Sequence, residues 1–374
     1  MTLNADEANM KQLTRIAVKI GSNVLTRKDG TLDITRMSSI VDQVAELYKN
    51  GIEVILVSSG AVASGRSEIR PSKKLDSVDQ RQLFSAVGQA KLINRYYELF
   101  REHGIAVGQV LTMKECFSTR RHYLNQKNCM KVMLENGVIP IVNENDTISV
   151  SELMFTDNDE LSGLIATMMD VQVLIILSNI DGIYNGNPTA PESKVICEIA
   201  QGKDLSAYIQ TSKSNFGRGG MLTKTNIARK VADEGITVII ANGKRNHILP
   251  QILEKESSPT MHPTLKYTRF TPASTPTTSI KKWIAHSEGF AKGILHINAC
   301  ATEVLISNQV ASILPIGITA VEGDFEKDDI VRIMDASGNA IGIGKANCNS
   351  EQARETMGQH GKKPVVHYDY LYLE

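Results

Sequence analysis

The sequence predicts an α/β protein: a three-layer αβα domain on a mostly parallel sheet, followed by a small, mostly β domain. First, short β-branched runs alternate with longer amphipathic segments from Arg15 to about Gly243. Second, these runs are almost continuously apolar, as expected for parallel strands that helices cover on both faces. Third, five of the eleven prolines fall between residues 250 and 276, which predicts a boundary or crossover there.

The predicted strands of the larger domain follow one another along the chain, with helix-like segments between them. Ligands of such sheets bind beyond the carboxyl ends of the strands, so the loops after these runs are where function is expected. In chain order the runs are RIAVKI (15–20), VILVSS (54–59), IAVGQVL (105–111), VIPIV (138–142), VQVLIIL (171–177) and ITVIIA (236–241).

The pattern changes in the C-terminal part of the chain. From Lys281 onward, short alternating runs separated by turn residues predict strands, with one helix at 350–358. We therefore predict two domains, 1–276 and 277–374. The segments that predict strands in the second domain are GILHI, EVLI, DIVRIMDASGNAIGIGKA and PVVHYDYLYL.

Charge and cysteine content exclude several classes of protein. The chain has 41 basic and 41 acidic side chains, so no whole-molecule field attracts nucleic acid or a membrane. Acidic residues outnumber basic ones 12 to 9 in 281–374, which argues against RNA as a partner. The five cysteines are scattered and indicate neither disulfides nor zinc. No apolar run reaches 18 residues and the N-terminus lacks a signal-peptide pattern, so we expect a cytoplasmic protein without a membrane partner.

Two lysines lie where a phosphate can bind. Lys19 is near the end of the first run beside Gly21, which lets a ligand approach the backbone; a solvated lysine at a strand end is the alternative. Lys224 follows the glycine-rich segment 215–220 at the start of a predicted helix, and such a loop can cradle a phosphate. The segment matches neither the Walker A pattern nor G-x-G-x-x-G.

Small and polar residues follow three other runs. The segment 57–65 suits a carboxylate or phosphate, although its small residues also suit close packing of a helix on a strand. Segments 143–148 and 155–160 gather amides and carboxylates, which can hold an ammonium group, orient lysines or bind a cation, although the calcium-loop spacing is missing. Segment 178–184 is rich in turn residues and can form one wall of a nucleotide pocket, although its composition alone predicts only a loop. Together with the two lysines, these loops imply ATP-dependent phosphoryl transfer.

Seven ordered motifs carry a resemblance to a known family: KIGSNVLT, VSSGAVASGR, GQAKLI, VNENDTIS, TDNDELSGLIA, LSNIDGIY and GRGGMLTK. In this order they resemble the amino acid kinase superfamily and, within it, the glutamate 5-kinase family. The part from Lys281, with SILPIGI and EGDFEKDDIVRI, is similar to the PUA domain attached to many members of that family. The resemblance covers nearly the whole chain.

The resemblance implies ATP-dependent phosphorylation of the side-chain carboxylate of L-glutamate to γ-glutamyl 5-phosphate, the first step of proline biosynthesis. It also implies Mg²⁺ as cofactor, feedback inhibition by proline, a homo-oligomer (dimer or tetramer) and coupling to glutamate-5-semialdehyde dehydrogenase. Sister kinases that act on N-acetylglutamate, aspartate, carbamate or UMP share the phosphate machinery and are the alternative. The cluster of acids and amides favours a free amino acid.

The resemblance also assigns roles to residues, none of them to metal binding. Lys19 and Lys224 contact the transferring phosphoryl group, and Asp159 orients them. The residues implied to bind glutamate are Ser59, Asn143, Asp146 and Asn158, with Asp146 suited to the ammonium group. The residues implied to border ATP are Lys19, Ser178, Asn179, Arg218, Gly219, Gly220, Met221, Leu222, Thr223 and Lys224.

Four residues, at three places in the chain, depart from the family's usual residues. Ser178-Asn179 stands in place of Thr-Asp, Asn187 in place of Asp before Pro188, and Arg218 in place of Thr. Asn179 removes a negative charge and Arg218 adds a positive one near the expected phosphates. These departures therefore bear on nucleotide binding more than on the type of reaction.

Overall fold

The structure is a computed structural model that describes residues 13–148, 158–203, 221–274, 281, 283–284, 287–307 and 311–373. The chain forms two compact units. The first consists of Met1–Lys114 and Gln126–Pro276, and the second of Glu115–Asn125 and Thr277–Glu374. The second unit thus includes a short stretch of chain, 115–125, that the sequence pattern places in the first domain.

The first unit contains all six strands that the apolar runs predict, together with two short strands that they do not. Its strands are β1 (Arg15–Ile20), β2 (Glu53–Ser58), β3 (Ala106–Thr112), β4 (Val138–Glu144), β5 (Val173–Ser178), β6 (Glu198–Ile199), β7 (Thr237–Asn242) and β8 (Thr268–Phe270). Its helices are α1 (Ser22–Leu25), α2 (Ile34–Lys49), α3 (Ala61–Arg66), α4 (Ser77–Glu102), most of α5 (Arg120–Glu135), α6 (Asn158–Met168), α7 (Met221–Asp233) and α8 (Ile248–Ser257).

These eight strands form one sheet in the order β3-β4-β2-β1-β5-β7-β8-β6. Every neighbouring pair is parallel except β7 and β8, so the predicted mostly parallel sheet is confirmed. In the central register, Lys19 lies opposite Val57 of β2 and Ile176 of β5. Because the central strands run in one direction, their carboxyl ends meet at one edge of the sheet.

Helices cover both faces of this sheet, as the apolar runs predict. On β1, Ile16, Val18 and Ile20 belong to a buried core with side chains of α2, α4 and α8. The alternate residues Ala17 and Lys19 are also buried and face the other side, on which α6 packs. The domain is therefore a three-layer αβα sandwich, and Lys19 is directed to the α6 face.

The proline-rich stretch, residues 250–276, contains most of helix α8 and the strand β8, whereas the sequence predicts only a boundary or crossover there. Pro250 is the third residue of α8, in the first turn, where the backbone N–H has no partner within the helix, so a proline is tolerated. Ile248 and Ile252 of this helix are fully buried. The strand β8 lies farther along the stretch and adds antiparallel to β7.

Five strands of the second unit are described: β9 (Gly293–Ile297), β10 (Ile318–Gly323), β11 (Ile330–Met334), β12 (Ala340–Ala346) and β13 (Val366–Leu373). They form one sheet in the order β10-β9-β11-β12-β13. The predicted helix at 350–358 is present, but the prediction of a strand at EVLI is wrong, because Asn298 starts a helix there. Its side chain accepts a hydrogen bond from the backbone N–H of Ala301 at 2.8 Å, and Leu305 of this helix is in the core. Two helices of this unit are α9 (Ala299–Ile306) and α10 (Ser350–Thr356).

Two glycines bring the backbones of α3 and α4 into direct contact. A Cβ atom at Gly88 would lie 1.8 Å from the carbonyl oxygen of Ala61, and one at Gly65 would lie 1.9 Å from that of Phe84. Both obstacles are backbone atoms, which cannot rotate away. Small residues after β2 therefore do serve close packing, here of one helix on another.

We expect the Gly88→Ala variant to lose about 3 kcal/mol of unfolding free energy, since overpacking against backbone forces the two helices apart. Thermal and urea unfolding measure this loss. The matched control is Gly104→Ala, just after the same helix, where an added Cβ meets no atom within 4 Å but φ is +71°. The control should lose only about 1 kcal/mol from the left-handed backbone. Equal losses in both variants would contradict the clash.

Candidate active site

One buried carboxylate binds two lysines at the carboxyl edge of the sheet. Asp159, the second residue of α6, is fully buried. Lys224 Nζ, from α7, lies 2.8 Å from Asp159 Oδ2, and Lys19 Nζ, from β1, contacts Oδ1 of the same carboxylate. The predicted catalytic residues are thus brought together from three separate elements. The cluster carries two positive charges and one negative, which leaves one positive charge for an anion.

The two lysines decide the ionisation of Asp159. Burial alone would raise the pKa of this carboxyl, but the charges of Lys19 and Lys224 outweigh burial and lower the pKa from 3.8 to about 2. Asp159 is therefore an anion at neutral pH. Its place in the first turn of α6 also puts a negative charge at the positive end of the helix dipole.

Lys19 is not a solvated lysine at a strand end, because its side chain is only 5% exposed. The backbone passes close to its ammonium group at Gly21: a Cβ atom there would lie 3.7 Å from Lys19 Nζ and 3.0 Å from the carbonyl oxygen of Leu177. Because Gly21 has no Cβ atom, the space beside the Lys19 ammonium group stays open. A phosphate oxygen can therefore reach both the ammonium group and the main chain at this turn.

The amide of Asn158 joins three of the predicted substrate-binding positions. Its Nδ2 donates to Ser59 Oγ at 3.0 Å and to Asn143 Oδ1 at 3.0 Å. It also lies 3.3 Å from the carbonyl oxygen of Ser58. The ends of β2 and β4 are thereby tied to the start of α6, and the side chains form one polar cluster.

Asn158 and Asp159 are consecutive residues that face different groups. Asn158 faces the polar side chains of Ser59 and Asn143, and Asp159 faces the two lysines. Successive side chains on a helix are rotated by about 100°, so one residue can face the polar cluster while the next faces the lysines. Consecutive Cα atoms are about 3.8 Å apart, which places the two clusters side by side. The start of α6 thus connects the polar cluster around Asn158 with the two lysines that bind Asp159.

Asp146, the fourth predicted substrate residue, lies in an ion-pair group that the sequence did not indicate. The guanidinium of Arg81, on α4, contacts Asp146 Oδ1 and donates to Glu144 Oε2 at 2.8 Å. Burial raises the pKa of the Asp146 carboxyl, and the charge of Arg81 opposes that rise. Arg81 stands within an ordinary amphipathic helix pattern, so no local signal in the sequence could have identified it.

Helix α4 supports the 143–148 turn at two further places. Asn143 Nδ2 donates to Gln89 Oε1 at 2.8 Å, and Gln82 Nε2 donates to the carbonyl oxygen of Thr147 at 2.8 Å. The start of α4 is fixed by Asp76, whose carboxylate accepts from two backbone N–H groups. One helix therefore contacts the acid-amide segment 143–148 at four of its residues.

The predicted nucleotide-binding wall follows β5. Ser178 is buried at the end of this strand, while Asn179 is exposed. Beyond them, Asp181 accepts two hydrogen bonds from Arg245, at 2.7 and 2.6 Å, and one from Asn242 at 3.0 Å. These contacts lower the pKa of Asp181, the Arg245 hydrogen bond most of all. The sequence did not predict this pairing between the loops after β5 and β7.

Three further predicted ATP residues, Met221, Leu222 and Thr223, form the start of α7. Met221 is its first residue, and its carbonyl oxygen accepts from Thr225 Oγ1 at 2.8 Å. Leu222 is 44% exposed and Thr223 half-buried. Arg218, Gly219 and Gly220 lie outside the described residues, as do residues 149–157.

Within the described ranges, no group of three or more His, Cys, Asp or Glu side chains is placed to hold a metal ion. Both oxygens of Asp159 contact lysines, so this carboxylate is already neutralised by protein groups. In the same part of the chain, no helix is both long and apolar enough to cross a membrane.

Two family models match parts of this chain, and known proteins match nearly all of it. Residues 14–242 match the amino acid kinase family, and residues 293–368 match the PUA domain. A glutamate 5-kinase of Bacteroides thetaiotaomicron is 77% identical over 366 residues, which are 98% of this chain and 100% of that protein. A glutamate 5-kinase of Chlorobaculum tepidum is 49% identical over 96% of this chain and 97% of its own. A third, from Methylococcus capsulatus, is 36% identical over 96% and 97% of the two chains.

Proposed function

The chain belongs to the amino acid kinase family, and we propose that its active site transfers the γ-phosphoryl group of ATP to the side-chain carboxylate of L-glutamate. The product is γ-glutamyl 5-phosphate, and the reaction is the first step of proline biosynthesis. One observation carries the proposal. The consecutive residues Asn158 and Asp159 connect the polar cluster, in which Asn158 contacts Ser59 and Asn143, with the pair of lysines that Asp159 binds. Full-length relatives named glutamate 5-kinase support the choice of substrate.

The reaction needs no general base. A glutamate side chain has a reference pKa of about 4.3, so its carboxylate is already the nucleophile at neutral pH. One carboxylate oxygen forms a bond to the γ-phosphorus of ATP while the bond to the β,γ-bridging oxygen breaks, and ADP leaves with those electrons. The protein must bring two anions together in line and neutralise charge. Lys19 and Lys224 supply that charge, and Asp159 fixes their positions.

We assign substrate contacts by chemistry and place. Ser59, Asn143 and Asn158 offer a hydroxyl and amides for the polar groups of glutamate, and Asp146 offers a carboxylate for its ammonium group. The residues proposed to border ATP are Lys19, Ser178, Asn179, Arg218, Gly219, Gly220, Met221, Leu222, Thr223 and Lys224.

We propose that Mg²⁺ arrives bound to the phosphates of ATP. The described side chains offer no group of metal ligands, and Mg²⁺ in kinases is commonly held by substrate phosphates with few protein ligands. Feedback inhibition by proline, assembly into a dimer or tetramer and coupling to glutamate-5-semialdehyde dehydrogenase are proposed from the family resemblance. A cytoplasmic location is also proposed, and five free cysteines support it.

We further assign residues 1–276 to an amino acid kinase domain and residues 277–374 to a PUA domain. The matches at 14–242 and 293–368 fall within these limits. The acidic balance of the second domain supports a role other than RNA binding.

Release of ADP tests the proposed reaction. With purified protein, ATP and Mg²⁺, we expect ADP release that requires L-glutamate and stops when EDTA removes the cation. N-acetylglutamate, aspartate and UMP, supplied one at a time, should give less than a tenth of that rate. A higher rate with any of these acceptors would replace L-glutamate as the substrate, and ADP release without an acceptor would contradict a kinase.

A further inference from the structure

We propose that Arg81 is a positioning residue that holds Asp146 ionised and correctly oriented for the ammonium group of the amino acid substrate. The inference rests on the proposed function and adds to it the device that selects a free amine. Arg81 contacts no substrate in this assignment and acts through the carboxylate that does.

The geometry places one guanidinium between two carboxylates. Arg81 Nη2 lies 2.8 Å from Glu144 Oε2 and also contacts Asp146 Oδ1. The side chains of Arg81, Glu144 and Asp146 are 16%, 4% and 12% exposed, so water screens these charges weakly. A planar guanidinium fixes direction as well as charge, because its N–H groups diverge at set angles.

The charges of this group favour a cationic ligand group. The three side chains bring two carboxylates and one guanidinium together, and the α-ammonium group of a free amino acid would add a positive charge beside Asp146. Among the residues that the structure describes, Arg81 is the charged group that contacts Asp146. The same guanidinium also pairs with Glu144. An N-acylated amino acid brings no positive charge to the Asp146 carboxylate, so it would lose this attraction at a cost in binding.

Without Arg81, the carboxylates of Asp146 and Glu144 would lose the positive charge that both of them contact. Burial already raises the pKa of Asp146, and the charge of Arg81 works against that rise. If the guanidinium is removed, Asp146 gains protons at a higher pH and turns more freely about its side-chain bonds. Affinity for a cationic substrate group then falls, while the lysines that act on the phosphoryl group keep their partner Asp159.

The test compares Arg81→Gln and Arg81→Lys with the parental protein in steady-state kinetics across pH. For Arg81→Gln we expect the KM for L-glutamate to rise at least tenfold, while kcat and the KM for ATP change less than threefold. The rise of this KM towards low pH should begin at a higher pH than in the parental protein. Arg81→Lys keeps the positive charge but not the planar guanidinium. Its KM for L-glutamate should therefore lie between those of the parental protein and Arg81→Gln.

The matched control is Lys91→Gln on the same helix. Lys91 pairs with Glu68, and both side chains are more than a third exposed, at 35% and 44%. Removing this lysine should leave all three kinetic constants near their parental values. If Arg81→Gln does not fold, Glu144→Gln tests the same charge group by removing one of its two negative charges, and we expect it to raise the KM for L-glutamate.

Two results would overturn the inference. One is a KM for L-glutamate within twofold of the parental value in Arg81→Gln or, if that variant does not fold, in both Arg81→Lys and Glu144→Gln. The other is a parallel loss of kcat and of affinity for both substrates, which would indicate a purely structural role. A parental protein that does not use L-glutamate would overturn the proposed function itself, so the two failures are distinguishable.

Discussion

The Lys224→Ala variant is expected to lose at least about 100-fold in kcat, the usual effect of removing one preorganised charge-stabilising group. Lys224 Nζ lies 2.8 Å from Asp159 Oδ2 and is held at the edge where the phosphoryl group should transfer. Its charge matters most when negative charge shifts between ATP and the acceptor. The KM for L-glutamate should therefore stay within about threefold of the parental value, since Asn158 and its partners are untouched.

Lys230→Ala is the matched control, because it removes a lysine near the end of the same helix α7. Its kcat should remain parental. A Lys224→Ala variant with parental turnover would show that this lysine does not act on the transferring group. A tenfold or larger rise in the KM for L-glutamate with parental kcat would place it in the acceptor site instead.

The Asp159→Asn variant is expected to lose both activity and stability. Removing the carboxylate leaves two ammonium groups close together, with side chains only 5% and 15% exposed. Breaking a buried pair in this way typically costs about 3–5 kcal/mol. We expect a lower midpoint of thermal unfolding and a fall in kcat of about 100-fold or more, because the lysines lose their common anchor.

The stability difference between parental protein and Asp159→Asn should depend on pH. The pKa of Asp159 is about 2 in the folded protein and 3.8 in the unfolded chain, so the anion is favoured by folding. Its contribution is fully present above about pH 4 and is lost as pH falls through about 2. Urea unfolding of both proteins between pH 6 and 2.5 should show a constant difference that narrows only below pH 4. A difference independent of pH would contradict the ion-pair account.

The central sheet could be predicted from the sequence because its signal is local. A run such as VLIIL in β5 is apolar at every position, and only a strand covered on both faces buries all of these side chains. The second unit shows the limit of this reasoning. The apolar residues of EVLI are equally compatible with a helix, and the decision came from the cap at Asn298.

The candidate site was predictable where a motif places a residue at the end of a strand or the start of a helix. Lys19, Asn158 and Asp159 occupy such positions, and the structure brings them to one edge. Arg81 was not predictable, because its partner Asp146 is 65 residues away and the contact depends on how α4 docks. The pairing of Asp181 with Arg245 likewise depends on two loops that only the folded sheet brings together.

The most direct test of the central claim is to trap the acyl phosphate with hydroxylamine. Purified protein with ATP, Mg²⁺ and hydroxylamine should form a hydroxamate with L-glutamate and not with N-acetylglutamate or aspartate. This result identifies both the bond that forms and the acceptor that carries it. A hydroxamate formed only from another acid would keep the lysine cluster but overturn the roles of Asp146 and Asn158. The absence of hydroxamate with all three acids would contradict transfer to a carboxylate.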